Sequence, residues 1–379
     1  MCNDRYKVCL ITYYGDNYGG CLQAYAIQTI IQSLGYTVHI PLIYSPFQKR
    51  HLKIHKLLNV LRNPIGYLKR HKYITQHVQN DKLRQKAFNI FRDEFLNIDK
   101  SFVLDRTSQN SCNFQIYVCG SDQIWNPYLY GVDPIWTLKF APAGSKKIAY
   151  APSLGISSIP NEFIIKFQEN LKDYTYLSCR EQDGANCLSK ILNRTVDVVL
   201  DPTLLLTPEQ WQAFARPVDL QSPYIFCYLF GDYAYIDIVK KKIKKHFGLD
   251  IICLPYNLRE LKSDDIKLYD ITPNQFVWLI AHAQFVITDS FHASVFSIKM
   301  NTPFISLKRT SDGDKKNMNS RLYTLLQTTG LNDRMVGENM VDNIGEIADR
   351  PIDFKNANNK LSIYMKRDIS RLERALSYE

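Results

Sequence analysis

The chain has 379 residues, 45% of them hydrophobic and 22% charged, with a formal net charge of +10 at pH 7. That length outgrows one ordinary core and points to two domains, and the balance of apolar and charged residues excludes an intrinsically disordered protein. No apolar run reaches the roughly 18–20 residues of a membrane-spanning helix, and residues 1–7 enter a strand-like run with no secretory apolar core, so a cytoplasmic protein is expected.

Residues 7–12 read as a strand, 22–34 as a helix and 37–43 as the next strand. A basic segment follows: between Lys49 and Lys100 there are thirteen Lys/Arg (49, 50, 53, 56, 62, 69, 70, 72, 82, 84, 86, 92, 100) against four acids (81, 93, 94, 99), which is +9 of the net +10. Leu57, Leu58, Leu61, Ile65 and Leu68 recur there at helical spacing, so an amphipathic helical insertion is expected over about 48–100. Its plain reading is a solvated helical face; the sharper one is an electrostatic dock for an anionic partner, including peripheral contact with a membrane. The segment has no recognisable nucleic-acid-binding fold and no regular aromatic platform, which ranks nucleic acid below those partners.

Farther on, residues 88–95 read as helix, 116–119 and 148–151 as strands, 162–174 as helix, 176–179 as strand, 181–192 as helix and 196–200 as a strand stopped by Asp201-Pro202. A second series comprises strand 224–229, helix 235–247, strand 250–253, helix 273–283, strand 285–288, helix 293–299 and strand 304–307. The alternation predicts α/β architecture with two doubly wound parallel sheets, a site in the cleft between them, and domains at 1–205 and 206–350. Leu361, Met365, Ile369, Leu372 and Leu376 predict a C-terminal helix within 351–379, docked on a domain that periodicity leaves open. Nine cysteines stand singly, with no Cys-x-x-Cys, so a reducing compartment, no structural metal and no cofactor are expected.

Several strand-to-helix loops carry groups suited to chemistry. Asp16, Asn17 and three glycines (15, 19, 20) lie before Gln23, a composition that serves either a tight turn or an anion or sugar cradle. Asp122, Gln123, Trp125 and Asn126 follow the strand at 116–119; they suit either an Asx turn with a packed indole or a sugar held by hydrogen bonds and ring stacking. Arg180 ends a strand, where it can fork onto an anion or pair with an acid. Thr288-Asp289-Ser290-Phe291-His292 sets a carboxylate, a hydroxyl and an imidazole at another strand end, where α/β sheets place ligands. Lys308 and Arg309 follow the next strand, and a polar loop at 310–318 leads to Arg321 as a surface loop or a lid.

In their order and spacing, Gly15-Asp16-Asn17-Tyr18-Gly19-Gly20-x-Leu22-Gln23-Ala24, residues 120–126, Ser153-Leu154-Gly155, Ser178-x-Arg180-Glu181, Asp201-Pro202-Thr203-Leu204-Leu205 and residues 288–297 resemble the polysaccharide pyruvyl transferase family over roughly residues 8–331. The resemblance implies two Rossmann-like domains arranged as in GT-B glycosyltransferases. The implied reaction moves the enolpyruvyl group of phosphoenolpyruvate onto a sugar of a polysaccharide or its lipid-linked precursor, forming a pyruvate ketal. It implies His292, Asp122 and Asp16 as catalytic residues, and Arg180, Ser290, His292, Lys308 and Arg321 as donor contacts. Asn17, Gln23, Gln123 and Trp125 would shape the acceptor site. Many family members carry Arg two residues before the histidine, where this chain has Ser290, so either another cation enters or the donor is held differently. The alternatives are a GT-B glycosyltransferase with a nucleotide-sugar donor and a catalytically silent sugar-binding protein.

Overall fold

The computed structural model describes residues 7–43, 78–105, 114–220, 223–309 and 319–377. Two parallel sheets organise it. The first contains β1 (Lys7–Ile11), β2 (Thr37–Ile43), β3 (Ile98–Leu104), β4 (Ile116–Cys119), β5 (Lys146–Ala149), β6 (Tyr176–Cys179) and β7 (Asp197–Val198), in the spatial order β3-β2-β1-β4-β5-β6-β7. The second contains β8 (Ile225–Tyr228), β9 (Ile251–Cys253), β10 (Ile266–Lys267), β11 (Phe285–Thr288), β12 (Phe304–Leu307) and β13 (Met335–Val336), in the order β10-β9-β8-β11-β12-β13. The central strands of both are mostly apolar and buried at every position but Lys7, as suits strands covered on both faces. Chain order reverses beside β1 in one sheet and beside β8 in the other, and the loops at such a switch point open a crevice at the strand ends.

The helices that position the site are α1 (Tyr18–Ser33), α2 (Val78–Phe95), α3 (Pro208–Phe214), α4 (Pro273–Ala281), α5 (Phe291–Lys299), α6 (Ser320–Thr329) and α7 (Phe354–Leu376). Helix α3 begins with a capping box, the Thr207 hydroxyl accepting from Gln210 N while the Gln210 amide accepts from Thr207 N. One apolar core runs from the first sheet into the second, including Val8, Ile27, Trp211, Phe276, Val286 and Phe296. Trp211 of α3 meets Phe296 of α5 edge-on at 4.9 Å, and Tyr18 of α1 stacks on Phe276 of α4 at 4.7 Å.

Helix α7 belongs to neither half alone. Buried Leu361, Leu372 and Leu376 belong to the shared core, while Asp368 accepts from Leu200 N at 2.8 Å and Arg371 pairs with Asp197 at 3.3 Å, which ties the helix to the edge of the first sheet. The amphipathic stretch read at 57–68 lies outside the described residues. In the described part of the basic segment, two cations are internal fasteners: Arg84 donates to Pro255 O at 2.5 Å and lies over the Tyr256 ring, and Arg92 pairs with Asp16 at 2.9 Å. Helix α2 also starts ten residues before the expected helix at 88–95, and α1 four residues before the one expected at 22–34.

Candidate active site at the facing switch points

The first crevice is organised by Gln23. Its amide nitrogen donates to Tyr13 O (2.7 Å), Gly20 O (2.8 Å) and the Thr12 hydroxyl (2.9 Å), while its oxygen accepts from Ser121 N (3.0 Å). One fully buried side chain thereby locks the loop after β1 to the loop after β4. Asn17 is the N-cap of α1 and accepts from Gly20 N at 3.0 Å. Gly19 and Gly20 form the first helical turn rather than a loop, and neither has positive φ. Their role is close approach: a Cβ on Gly19 would strike the His292 imidazole, and one on Gly20 would strike the Tyr13 ring.

Beside this crevice lies a buried charge cluster. Arg180, at the end of β6, donates to Asp201 at 2.6 Å and pairs with Asp122 at 3.4 Å. Burial works against its charge, but Asp201 and Asp122 outweigh that and raise its pKa. Asp201 caps the short helix Pro202–Leu205 by accepting from Thr203 N at 2.9 Å, and it also takes the Thr203 hydroxyl at 2.6 Å. Burial would push its carboxyl up, yet His292, Arg180 and Thr203 together hold it well below the usual carboxylate range. Of the two acids on Arg180, only the Asp122 side chain is partly open, at 16% exposure against 0% for Asp201.

The second crevice supplies three further parts. His292 sits in the first turn of α5, its Nε2 3.7 Å from Asp201 Oδ2, an ion-pair distance too long for a hydrogen bond. That nitrogen has no hydrogen-bond partner among the described residues, and neither has Arg180 Nε. The Phe291 ring lies under the Arg180 guanidinium at 4.6 Å and near that of Arg321 at 5.9 Å. Gln123, its amide oxygen turned toward Arg321, accepts from that guanidinium. No carboxylate lies within ion-pair distance of Arg321 among the described residues, and burial, then the neighbouring Arg180, pull its pKa down to about 9.

The expected residues fall into three groups. Arg180, Asp122, His292, Gln123 and Arg321 converge on one buried locus. Asp16, Asn17 and Ser290 are engaged locally: Asp16 is paired with Arg92, Asn17 is spent on its cap, and Ser290 caps α5 with a long 3.5 Å contact to Ala293 N. Lys308 holds its ammonium over the Tyr323 ring at 5.5 Å. Two expectations are corrected. Trp125 is 1% exposed, donates its indole N–H to Trp136 O at 3.0 Å and meets Phe167 and Tyr174 edge-on, so no ring face is open to a sugar. Gln23 spends both ends of its amide inside the protein and acts as a positioning residue rather than an acceptor contact.

Three further residues matter to the site. Asp201 was legible as a strand stop and as part of the motif at 201–205, without a role at the site. Glu181 accepts from Leu154 N (2.8 Å) and Gly155 N (3.0 Å), which sets the 153–155 loop against Gln123. Arg309 pairs with Asp289 at 3.2 Å, and Asp289 also accepts from Phe230 N and Gly231 N. Elsewhere, Cys253, Glu260 and Asp265 form a group with metal-ligand spacing, but Lys240 already pairs with both of its carboxylates, at 2.8 and 2.5 Å.

Fold and site define a two-domain α/β protein of GT-B-like architecture with a buried, cation-bearing cleft. Solved structures agree on the fold. A putative UDP-N-acetylglucosamine 2-epimerase from Listeria monocytogenes matches with a TM-score of 0.53 at 10% identity, over 94% of this chain and 91% of that one. The S. aureus MnaA–UDP complex matches with a TM-score of 0.53 at 10% identity, over 97% and 96%. No curated protein matches by sequence. The family model for polysaccharide pyruvyl transferase matches residues 17–311, most of the chain. The chain belongs to the polysaccharide pyruvyl transferase family.

Proposed function

We propose that the protein transfers the enolpyruvyl group of phosphoenolpyruvate to two hydroxyls of one sugar, forming a pyruvate ketal. The observation that carries this reading is the pair of buried guanidinium groups on Phe291, of which Arg321 lacks a carboxylate partner among the described residues. A buried cation without a counter-charge is costly, and a bound carboxylate or phosphate removes that cost. Phosphoenolpyruvate carries both. Arg321 arrives from α6 and supplies the second cation that Ser290 does not.

In this reading a proton adds to the methylene carbon as the first sugar oxygen bonds to the central carbon. The second sugar oxygen then displaces phosphate, and the second hydroxyl proton leaves with it, so a diol and phosphoenolpyruvate become a ketal and hydrogen phosphate. His292, against Asp201, is placed to hold the donor and deliver the first proton. Asp122, the accessible carboxylate, is placed to accept a proton from the sugar. Asp16 orients the acceptor from the rim, and Lys308 adds positive field near the donor. The proposal includes a division of the chain near residue 205, with the site between the halves.

The competing nucleotide-sugar reading meets an obstacle at the second crevice. The Phe230 and Gly231 N–H groups that could cradle a diphosphate already donate to Asp289, which also holds Arg309. The test is phosphate release from phosphoenolpyruvate across a panel of sugar acceptors, with thermal shifts alongside. Release should require an acceptor and fall at least about 1,000-fold in His292→Ala and Arg180→Ala. Thermal stabilisation by UDP with none by phosphoenolpyruvate would overturn the proposal.

A further inference from the structure

Arg321 is buried like Arg180 and Arg334 but is held by a different kind of partner. Arg180 has the Asp201 carboxylate at 2.6 Å, and Arg334 has that of Asp333 at 2.9 Å. Arg321 has no carboxylate at ion-pair distance among the described residues. Its partner is the side-chain oxygen of Gln123, which accepts from both terminal nitrogens of the guanidinium, from Nη1 at 3.0 Å. An amide oxygen and a carboxylate oxygen can both orient a guanidinium, but only the carboxylate cancels its charge. Gln123 thus fixes Arg321 and leaves the positive charge uncompensated. That charge is within reach of a ligand, because Arg321 and Arg180 line a cavity of about 670 Å³ whose far wall is built from α6 and α7, through Thr324, Thr328 and Tyr364.

Gln123 is itself positioned by two neighbouring loops. Gly155 approaches it so closely that a Cβ there would stand 3.1 Å from Gln123 Cδ, and Gly155 has φ +62°, a left-handed conformation that side chains disfavour. Ser153 N donates to Asp122 O at 2.8 Å, which joins the 153–155 loop to the loop that carries Gln123. Glu181 then takes Leu154 N at 2.8 Å and Gly155 N at 3.0 Å. Glu181 is fully buried at the N-cap of the helix Gln182–Leu192, yet its carboxylate makes no cap bond and serves the 153–155 loop instead. Segments following three adjacent strands, β4, β5 and β6, therefore converge on one neutral amide.

We infer that Gln123 sets the anion affinity of the site: it positions Arg321 through a neutral oxygen, so that the guanidinium keeps its charge for the ligand. The inference rests on the pyruvyl-transfer reading for the identity of that ligand, phosphoenolpyruvate. It assigns Gln123 to the donor side, acting through Arg321, in place of the acceptor contact that the resemblance implies. A residue needed only to brace Arg321 would serve better as Glu, because an ion pair is the stronger brace. The two roles predict opposite signs for one isosteric change.

The test compares Gln123→Glu and Gln123→Met with wild type, by thermal unfolding without ligand and by calorimetric titration with phosphoenolpyruvate, inorganic phosphate and UDP. Gln123→Glu should unfold at a higher temperature than wild type, because it gains an ion pair with Arg321. It should also bind phosphoenolpyruvate at least about 10-fold more weakly, because the ligand then competes with an internal carboxylate. Gln123→Met keeps the length and loses the hydrogen bond, so it should unfold at a lower temperature and weaken binding less than Gln123→Glu. In an Arg321→Met background most of the Gln123→Glu penalty should disappear. Phosphoenolpyruvate affinity in Gln123→Glu equal to or above wild type, a larger loss in Gln123→Met than in Gln123→Glu, or an unfolding temperature of Gln123→Glu below wild type would each overturn the inference, and so would an undiminished penalty without Arg321. The first three comparisons hold even where Arg321→Met does not fold. Wild-type binding of phosphate or UDP with none of phosphoenolpyruvate would instead sink the donor reading, and a Gln123→Glu penalty on those anions would keep the role of Gln123. No binding of any of the three probes would overturn both.

Discussion

At the first switch point, between β1 and β4, a neutral side chain holds the crevice together: Gln23 binds both loops through its amide, and the charges stand beside it on Asp122, Arg180 and Asp201. At the second, between β8 and β11, a charged side chain does the bridging, with Asp289 drawing in the Phe230 and Gly231 N–H groups and Arg309. The strand order is the same at both places, but the electrostatic outcome is opposite. The first leaves the partly open Asp122 carboxylate beside the buried Arg180, and the second satisfies its own backbone donors with a buried acid. A shared Rossmann-like topology thus marks where ligands can bind without stating which half binds the anion.

The largest expected effect from breaking this contrast is Asp201→Asn. Removing one partner of a buried ion pair should cost about 3–5 kcal/mol in urea unfolding, because Arg180 loses its 2.6 Å counter-charge. The pH dependence has a defined sign. The Asp201 pKa is depressed in the folded state, so its contribution is fully present above the unfolded value of about 3.9 and is lost as pH falls below it. Wild type should therefore lose stability more steeply than Asp201→Asn below about pH 4; parallel curves would contradict the pairing.

Next is Asp289→Ala, which leaves the Phe230 and Gly231 donors without their acceptor and should cost about 1–3 kcal/mol. If the acid is what keeps diphosphates out of the second crevice, this variant should gain a thermal shift with UDP that wild type lacks. No such gain would mean that the crevice is closed by shape rather than charge. The smallest effect is expected from Trp125→Phe, about 1 kcal/mol for the lost indole hydrogen bond to Trp136 O, with the acceptor KM unchanged. A raised acceptor KM at unchanged stability would restore Trp125 to the sugar site.

Much of the fold was legible because buried parallel strands appear as short apolar runs and their helices carry recognisable starts. The positions of Arg180, Asp122 and His292 at strand ends were legible for the same reason. Trp125 and Gln23 were misread because an indole or an amide in a loop looks the same facing a ligand or facing a core. Only their packing, on Phe167 and Tyr174 for the first and across the β1 and β4 loops for the second, separates the two. Gly19 and Gly20 serve close approach rather than positive φ: Gly19 leaves room for the imidazole of His292, brought in from far along the chain, and Gly20 for the Tyr13 ring.

By itself, the sequence determined the alternation of strands and helices, the chemical types gathered at strand ends and the family resemblance, because these rest on local periodicity and short spacings. The tertiary structure alone decided that Asp201 stands against both Arg180 and His292, that Arg321 lies beside Arg180 with no carboxylate at ion-pair distance among the described residues, and that α7 returns across both halves to wall a cavity. Each of those outcomes depends on side chains brought together from distant segments by core packing, and the electrostatic consequence of burial exists only once that packing has removed the water.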